Sequence, residues 1–241
     1  MLLPTFFSFL AVIASGVDAS YATAAEIYMP TNTTTMRCLK SLGYQTVFIQ
    51  SFTNSRDGSF LSYSIASIRN ANSIGLGVEV YMVPQPTGSL LGSQQLDVLF
   101  RGLTDNGIVV RSVWIKITSP ILWSTDKIAN IAFINSILAR ANQLGLTVGI
   151  YTNRSDWYQI TNNLLTVGPQ VLLWYSGTGA NFDDYVSFGG FMSPVVKQYS
   201  VSDTVCQMSV NRDVYIEGIA MKKYISLIDT KDKIVVGGLG L

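Results

Sequence analysis

The chain has 241 residues, 48% of them hydrophobic, 11% aromatic and only 13% charged, with a formal net charge of +1, two cysteines and no histidine. That length and apolar content suffice for a full-sized core and exclude a disordered chain, while basic and acidic residues in near balance, scattered without runs, give no sustained field for phosphates, so nucleic acid is not an expected partner. Without imidazole there is no Ser-His-Asp or Cys-His pair and no common zinc site, so no metal or cofactor is expected and any catalysis must come from carboxylates, Lys, Tyr, Ser or Cys.

The first stretch, MLLPTFFSFLAVIASGVDAS, carries an apolar run from Phe6 to Ala14 and then Val17-Asp18-Ala19, which fits a small-x-small cleavage site. It reads as a secretory signal peptide over residues 1–19, with one mature domain over 20–241. The apolar run is well short of the roughly 20 residues a membrane span requires, so a secreted protein without membrane association is expected. An oxidising compartment lets Cys38 and Cys206 pair, tying the first helix to the last part of the chain, a link on the order of 4 to 5 kcal/mol in the loop-entropy model. Asn32-Thr33-Thr34 and Asn153-Arg154-Ser155 are N-glycosylation sequons.

A first strand is expected over Ala24 to Met29. A rhythm then appears at Gly43, Gly75, Gly107 and Gly145: each glycine closes a helical stretch and precedes a β-rich run, as expected of the left-handed residue that ends a helix in successive βα units. In the segment Asp126 to Leu144 the residues Ile128, Ile131, Ile134, Ile137, Leu138, Ala141 and Leu144 recur at helical spacing and predict a buried stripe. After Tyr151 the rhythm changes to the strand-like runs VLLWYS (171–176), VVKQYS (195–200) and SVNRDVY (209–215), with little helical periodicity between them. The expected architecture is α/β: an irregular TIM-like (β/α) barrel of about five βα units followed by three strands with reduced helices, eight strands in all.

Helices cover the outside of such a barrel, so on each strand the apolar parity points outward and the other parity inward. On Val113-Trp114-Ile115-Lys116-Ile117-Thr118 this sends Trp114, Lys116 and Thr118 inward. The same parity groups Glu26 with Tyr28, Glu79 with Tyr81, and Asn211 with Asp213 and Tyr215. Three carboxylates and a lysine thus face one interior, where Lys116 pairs with Glu79 or Glu26 as burial demands or serves a functional role. Because barrel sites lie at the C-terminal ends of strands, Lys116, Thr118, Tyr28, Asn153 and Asp213 or Tyr215 are the positions a ligand is expected to reach. The aromatic residues Tyr28, Tyr81, Trp114, Trp123, Tyr151, Trp157, Trp174 and Tyr175 fall near strand ends; each singly is expected to pack in the core, while together at a barrel mouth they suit stacking on sugar rings.

In order along the chain, AAEIYMPT, GYQTVFIQ, GLGVEVYMVPQP, VWIKITSPILW, GLTVGIYTNRSDW, LLWYSG and VVKQYS…VNRDVY resemble glycoside hydrolase family 25, in particular its nematode and amoeba-type lysozyme-like members. The resemblance implies an irregular (β/α) barrel and a secreted, monomeric protein of antibacterial defence whose relatives cleave the muramic-acid to glucosamine bond of peptidoglycan. It points to Tyr28, Tyr81, Trp114, Tyr151, Asn153, Trp174, Gln198 and Asn211 as glycan-binding positions. The family's chemistry uses an Asp on the first strand, an Asp-x-Glu pair ending the fourth and an Asp near the last. Glu26 matches the first, the Asp-x-Glu positions fall on Lys116 and Thr118, and Asn211-Arg212-Asp213 reads as the last motif with acid and amide exchanged. Threonine can neither protonate a leaving group nor stabilise an oxocarbenium centre, and a lysine cation opposes the charge that develops there. The expectation is a protein that recognises peptidoglycan or a related glycan with muramidase activity weak or lost. The alternatives are a working lysozyme using Glu26 and Asp213, and an interaction protein without glycan binding.

Overall fold

The computed structural model describes residues 20–55, 57–217 and 233–239; the leader read from the sequence lies outside them. Five βα units open the fold. Strand β1 (Tyr21–Ile27) leads into α1 (Thr33–Ser41), β2 (Tyr44–Thr53) and the short β3 (Ser59–Phe60) into α2 (Tyr63–Ser73), and β4 (Gly77–Met82) into α3 (Gly92–Thr104). Strands β5 (Ile108–Val110) and β6 (Ser112–Lys116) precede α4 (Lys127–Gln143), and β7 (Thr147–Thr152) precedes α5 (Arg154–Thr161). The remaining strands, β8 (Leu172–Ser176), β9 (Val196–Val205), β10 (Met208–Ile216) and β11 (Ile234–Val236), have no further helix between them among the described residues.

Eight strands close a barrel in the order β1-β10-β9-β8-β7-β6-β4-β2, with β2 returning to β1. All neighbours are parallel except β10, which runs antiparallel to both β9 and β1. The architecture read from the sequence is therefore present, with its irregularity concentrated at β10. The four helix-exit glycines all have positive φ, as their spacing implied. Helix starts follow from local chemistry: Asn32, Asp126 and Asn153 each turn a side-chain oxygen onto a free backbone N–H of the first turn.

Three boundaries differ from the sequence reading. β1 runs from Tyr21 to Ile27 rather than from Ala24 to Met29, because its ladder with β10 begins at Tyr21 opposite Ile216. The run after Gly107 splits into β5 and β6, and β5 leaves the barrel to pair with β11. On α4, Ile134, Ile137 and Ala141 are buried as expected, but Ile128 is 63% exposed. The buried position in that turn is Asn130, about 200° around the helix from Ile128, whose amide bridges Ser124 and the Ile160 carbonyl.

The core has two compartments. Helices pack on the outward parity of the strands, with Ile27, Val47, Ile49, Val80, Ile115 and Ile150 against Leu39, Ile68, Leu99 and Ile137. The inward parity fills the barrel with Ala22, Ala24, Phe48, Tyr81, Trp114, Tyr151, Trp174 and Tyr215. Large rings are accommodated by small residues opposite them: the Trp114 indole lies where a side chain on Gly149 of β7 would stand. A disulfide joins Cys38 in α1 to Cys206, with Cα atoms 5.9 Å apart. Cys206 and Gln207 form the two-residue turn between β9 and β10, both at positive φ, so the bridge anchors the antiparallel hairpin to the first helix.

The base of the barrel is sealed by the segment Lys233–Leu239. β11 lies parallel to β5, Gly237 N donates to the Val78 carbonyl (2.8 Å), and Leu239 enters the interior cluster. Leu239 N donates to the buried Glu79 carboxylate at 2.5 Å, which also accepts from Ser112 Oγ (2.9 Å) and Trp114 Nε1 (2.8 Å). Burial pushes the Glu79 carboxyl above the ordinary range, and these donors oppose that rise. Gly237 has φ +93°, and a Cβ there collides with the Ser112 side chain and backbone, whereas Gly43 (φ +90°) has no atom within 4 Å of its Cβ position. Gly43→Ala is expected to cost about 1 to 2 kcal/mol from backbone strain alone, and Gly237→Ala measurably more, read as the shift of the urea unfolding midpoint.

Candidate functional site

The strands bring the inward polar residues to three heights along the barrel axis. At the base lies Glu79. One level above, Asp213 stands opposite Ala24 of β1, fully buried, its Oδ1 accepting from Trp174 Nε1 at 2.9 Å and its Oδ2 without a partner among the described residues. At the mouth, Glu26 stands opposite Asn211. Lys116, at the end of β6, donates through Nζ to Glu26 Oε1, the two side chains being 12% and 2% exposed. Of the two carboxylate partners open to it from the sequence, Lys116 takes Glu26.

Both oxygens of Glu26 are occupied. Its Oε2 receives Gln198 Nε2 at 2.6 Å and Asn211 Nδ2 at 2.9 Å, opposite the Lys116 ammonium on Oε1. The Lys116 ammonium is boxed by three rings, Tyr151 at 4.4 Å, Tyr81 at 4.8 Å and Trp174 at 5.2 Å from Nζ to centroid. Tyr151 donates in turn to Gln198 Oε1 (2.9 Å). Burial first, and then the Glu26 charge, push the Tyr81 and Tyr151 hydroxyls well above the ordinary tyrosine range, so both stay protonated. Burial likewise drives the Asp213 carboxyl far above its usual range; the Glu26 charge adds to the rise, while Lys116 and the Trp174 hydrogen bond oppose it. Burial and the neighbouring Glu26 charge thus both favour the neutral form of Asp213.

The expected ligand-facing set divides. Lys116, Thr118, Asn211 and Tyr28 lie at the mouth and are partly exposed, with Tyr28 bonded through its hydroxyl to Ser209 (2.7 Å). Tyr81, Trp114, Tyr151, Trp174 and Gln198 are buried in the packed interior. Parity puts a side chain on the inner face but does not set its height, and these rings fill the barrel instead of forming an open stacking platform. Trp157 is buried outside the barrel against Phe191. Asn153 caps α5, its Oδ1 accepting from Asp156 N at 2.8 Å. Tyr215 reaches the base, bonded to Thr46 at the start of β2 (3.0 Å), because β10 runs antiparallel and its C-terminal end points away from the mouth.

One mouth residue has no counterpart in the strand pattern. Asp156, in the first turn of α5, accepts through Oδ2 from Thr118 Oγ1 and from Ser119 N (3.3 Å). Alternation along strands cannot reveal a side chain delivered by a helix; the only signal in the sequence is the capping residue Asn153 placed three positions before it.

The same barrel fold is found in known proteins. The family model described as Lysozyme-like protein 1 matches residues 17–199. The chain belongs to this lysozyme-like family. It is 50% identical over 240 residues to Lysozyme-like protein 1 of Caenorhabditis elegans, covering 92% of this chain and 80% of the relative. It is 32% identical over 219 residues to the probable GH family 25 lysozyme 2 of Dictyostelium discoideum, covering 89% of this chain and 97% of that one. The family GH25 lysozyme structure from Aspergillus fumigatus superposes with a TM-score of 0.65 at 14% identity, covering 83% and 96% of the two chains, and so shares the fold. Membership and barrel alike agree with the resemblance read from the motifs.

Two predictions follow from the charges of this lysozyme-like site. Lys116→Met leaves Glu26 buried without its counter-charge and is expected to cost about 3 kcal/mol in urea unfolding, whereas the Glu26→Gln, Lys116→Met double variant recovers most of that loss. Asp213, an acid with a raised pKa in the fold, contributes stability that is full below its ordinary range near 4 and is lost as pH rises toward the raised value. Asp213→Asn removes that term, so its stability relative to the native chain is expected to rise from pH 4 to pH 7; a difference independent of pH would refute the assignment.

Proposed function

We propose that this protein is a secreted lysozyme-like protein of antibacterial defence that recognises peptidoglycan or a related glycan, with little or no muramidase activity. The observation that carries the reading is the Lys116 ammonium seated on Glu26. Glycoside cleavage needs a protonated acid at the leaving oxygen and an anion facing the oxocarbenium centre. Here the first-strand carboxylate is already neutralised by a cation and two further donors, and the two positions that match the family's Asp-x-Glu by the resemblance are a lysine and a threonine. Burial favours the protonated form of Asp213, but the side chain sits fully buried on Trp174, below the mouth. What supports glycan recognition is the kinship with proteins named as lysozymes, together with a polar mouth of Lys116, Thr118, Asp156, Asn211 and Tyr28. The leader and the Cys38–Cys206 disulfide favour an oxidising, extracellular destination.

The purified native chain is expected to sediment with insoluble bacterial walls but not to clear a turbid wall suspension, measured beside Glu26→Gln and Asp213→Asn variants. Clearing by the native chain that either amide substitution abolishes would instead establish a working lysozyme built on those two acids. A native chain that neither clears nor binds walls would leave only an interaction protein. The Lys116→Asp, Thr118→Glu double variant is expected to gain measurable clearing, because it returns two carboxylates to the mouth of an intact barrel.

A further inference from the structure

Asp156 is a carboxylate at the mouth that neither the ion pair nor the interior hydrogen bonds consume. Its backbone N–H is held by the Asn153 cap, which fixes the first turn of α5. Its side chain does not fold back onto that helix. Instead Oδ2 crosses to the end of β6, where Thr118 Oγ1 and Ser119 N both donate to it, and the Thr118 carbonyl is itself held by Trp123 Nε1 at 3.0 Å. Ser119 adopts φ +58°, which turns its N–H toward the carboxylate. Oδ1 has no partner among the described residues, and the side chain is half-buried. Asp156 faces the same mouth as the ion pair: after burial and the Glu26 charge, its charge also raises the Tyr151 hydroxyl, and of the three rings around Lys116 Nζ that of Tyr151 is the nearest.

A carboxylate with one oxygen pinned by two donors and the other open is a preorganised acceptor. From this geometry we infer that Asp156 is a ligand-binding residue of the mouth, accepting hydrogen bonds from the hydroxyl or amide N–H groups of a neutral sugar strand, with Thr118 and Ser119 holding it in place. The inference rests on the glycan reading above and narrows it. An acceptor anion favours donor-rich, uncharged glycan and disfavours acidic polysaccharide, and the nearest cation in the barrel mouth, Lys116, is already committed to Glu26. A carboxylate serving only to strap α5 to β6 has the same inner hydrogen bonds but gives its outer oxygen no role.

Asp156→Asn separates the two. The amide oxygen still accepts from Thr118 and Ser119, so the strap is kept, while the outward atom changes from acceptor to donor and the charge is lost. The full chain is titrated with a soluble N-acetylglucosamine tetramer by NMR or calorimetry and tested for co-sedimentation with purified walls, each variant also being unfolded in urea. The expected result is an unchanged unfolding midpoint for Asp156→Asn with binding at least about tenfold weaker, and a similar loss of binding with some loss of stability for Asp156→Ala. Variants that bind as the native chain does, whatever their stability, would overturn the assignment of Asp156 and leave glycan recognition standing. A native chain that binds neither the tetramer nor walls would overturn both.

Discussion

The ion pair between Lys116 and Glu26 is the constraint around which the upper half of the barrel is organised. Two charges taken out of water in a closed barrel stabilise the fold only if each is matched and the remaining acceptors are filled. Gln198 and Asn211 complete the Glu26 carboxylate, and the faces of Tyr81, Tyr151 and Trp174 surround the ammonium. These groups come from β1, β4, β6, β7, β8, β9 and β10, so one pair of opposite charges engages seven of the eight barrel strands. The pair therefore specifies register as well as neutralising charge: a slip of one residue on β6 would send Lys116 to the helix-covered face and leave Glu26 alone.

Below that layer the interior is solved as a packing problem with two polar insertions. Trp174 touches Phe48, Tyr151, Trp114 and Tyr81 at centroid distances from 4.6 to 6.0 Å, and its indole N–H is satisfied by Asp213. Trp114 is satisfied by Glu79 in the same way. Each of these two interior indoles thus has a carboxyl oxygen as acceptor, and burial raises the pKa of each of the two carboxyls. Two of the three inward acids thereby serve the architecture of the core, which explains why counting carboxylates on the inner face overstates the catalytic inventory.

Much of this was legible in the sequence for a simple reason. Period-two alternation on a barrel strand has only one buried polar destination, so parity alone placed Glu26, Lys116, Trp114, Glu79 and Asp213 inside, and the exit glycines marked the βα units. Parity carries no height, however, which is why the rings meant for the mouth turn out to be core and why Tyr215, on the antiparallel β10, lies at the base. Nor does it register contacts between distant segments. The tail strand β11 is three residues long and pairs with β5 more than a hundred positions earlier, with no local pattern to announce it. Asp156 escaped because its direction depends on where α5 begins relative to the end of β6, a tertiary relation.

On the proposed function, the charges at the mouth account for a scaffold that keeps a ligand without the chemistry. Hydrolysis requires a proton donor and an anion on opposite sides of one bond, both reachable by substrate. In this barrel the acid beside Trp174, Asp213, is fully buried, and Glu26, which reaches the axis, is covered by Lys116. A further carboxylate, Asp156, stands at the rim on α5, where two donors from the end of β6 hold one of its oxygens. A carboxylate so held is a fixed acceptor. On the proposed reading, recognition needs only such fixed acceptors and donors around a mouth, and a cation on the barrel axis already occupies the place where hydrolysis would develop positive charge.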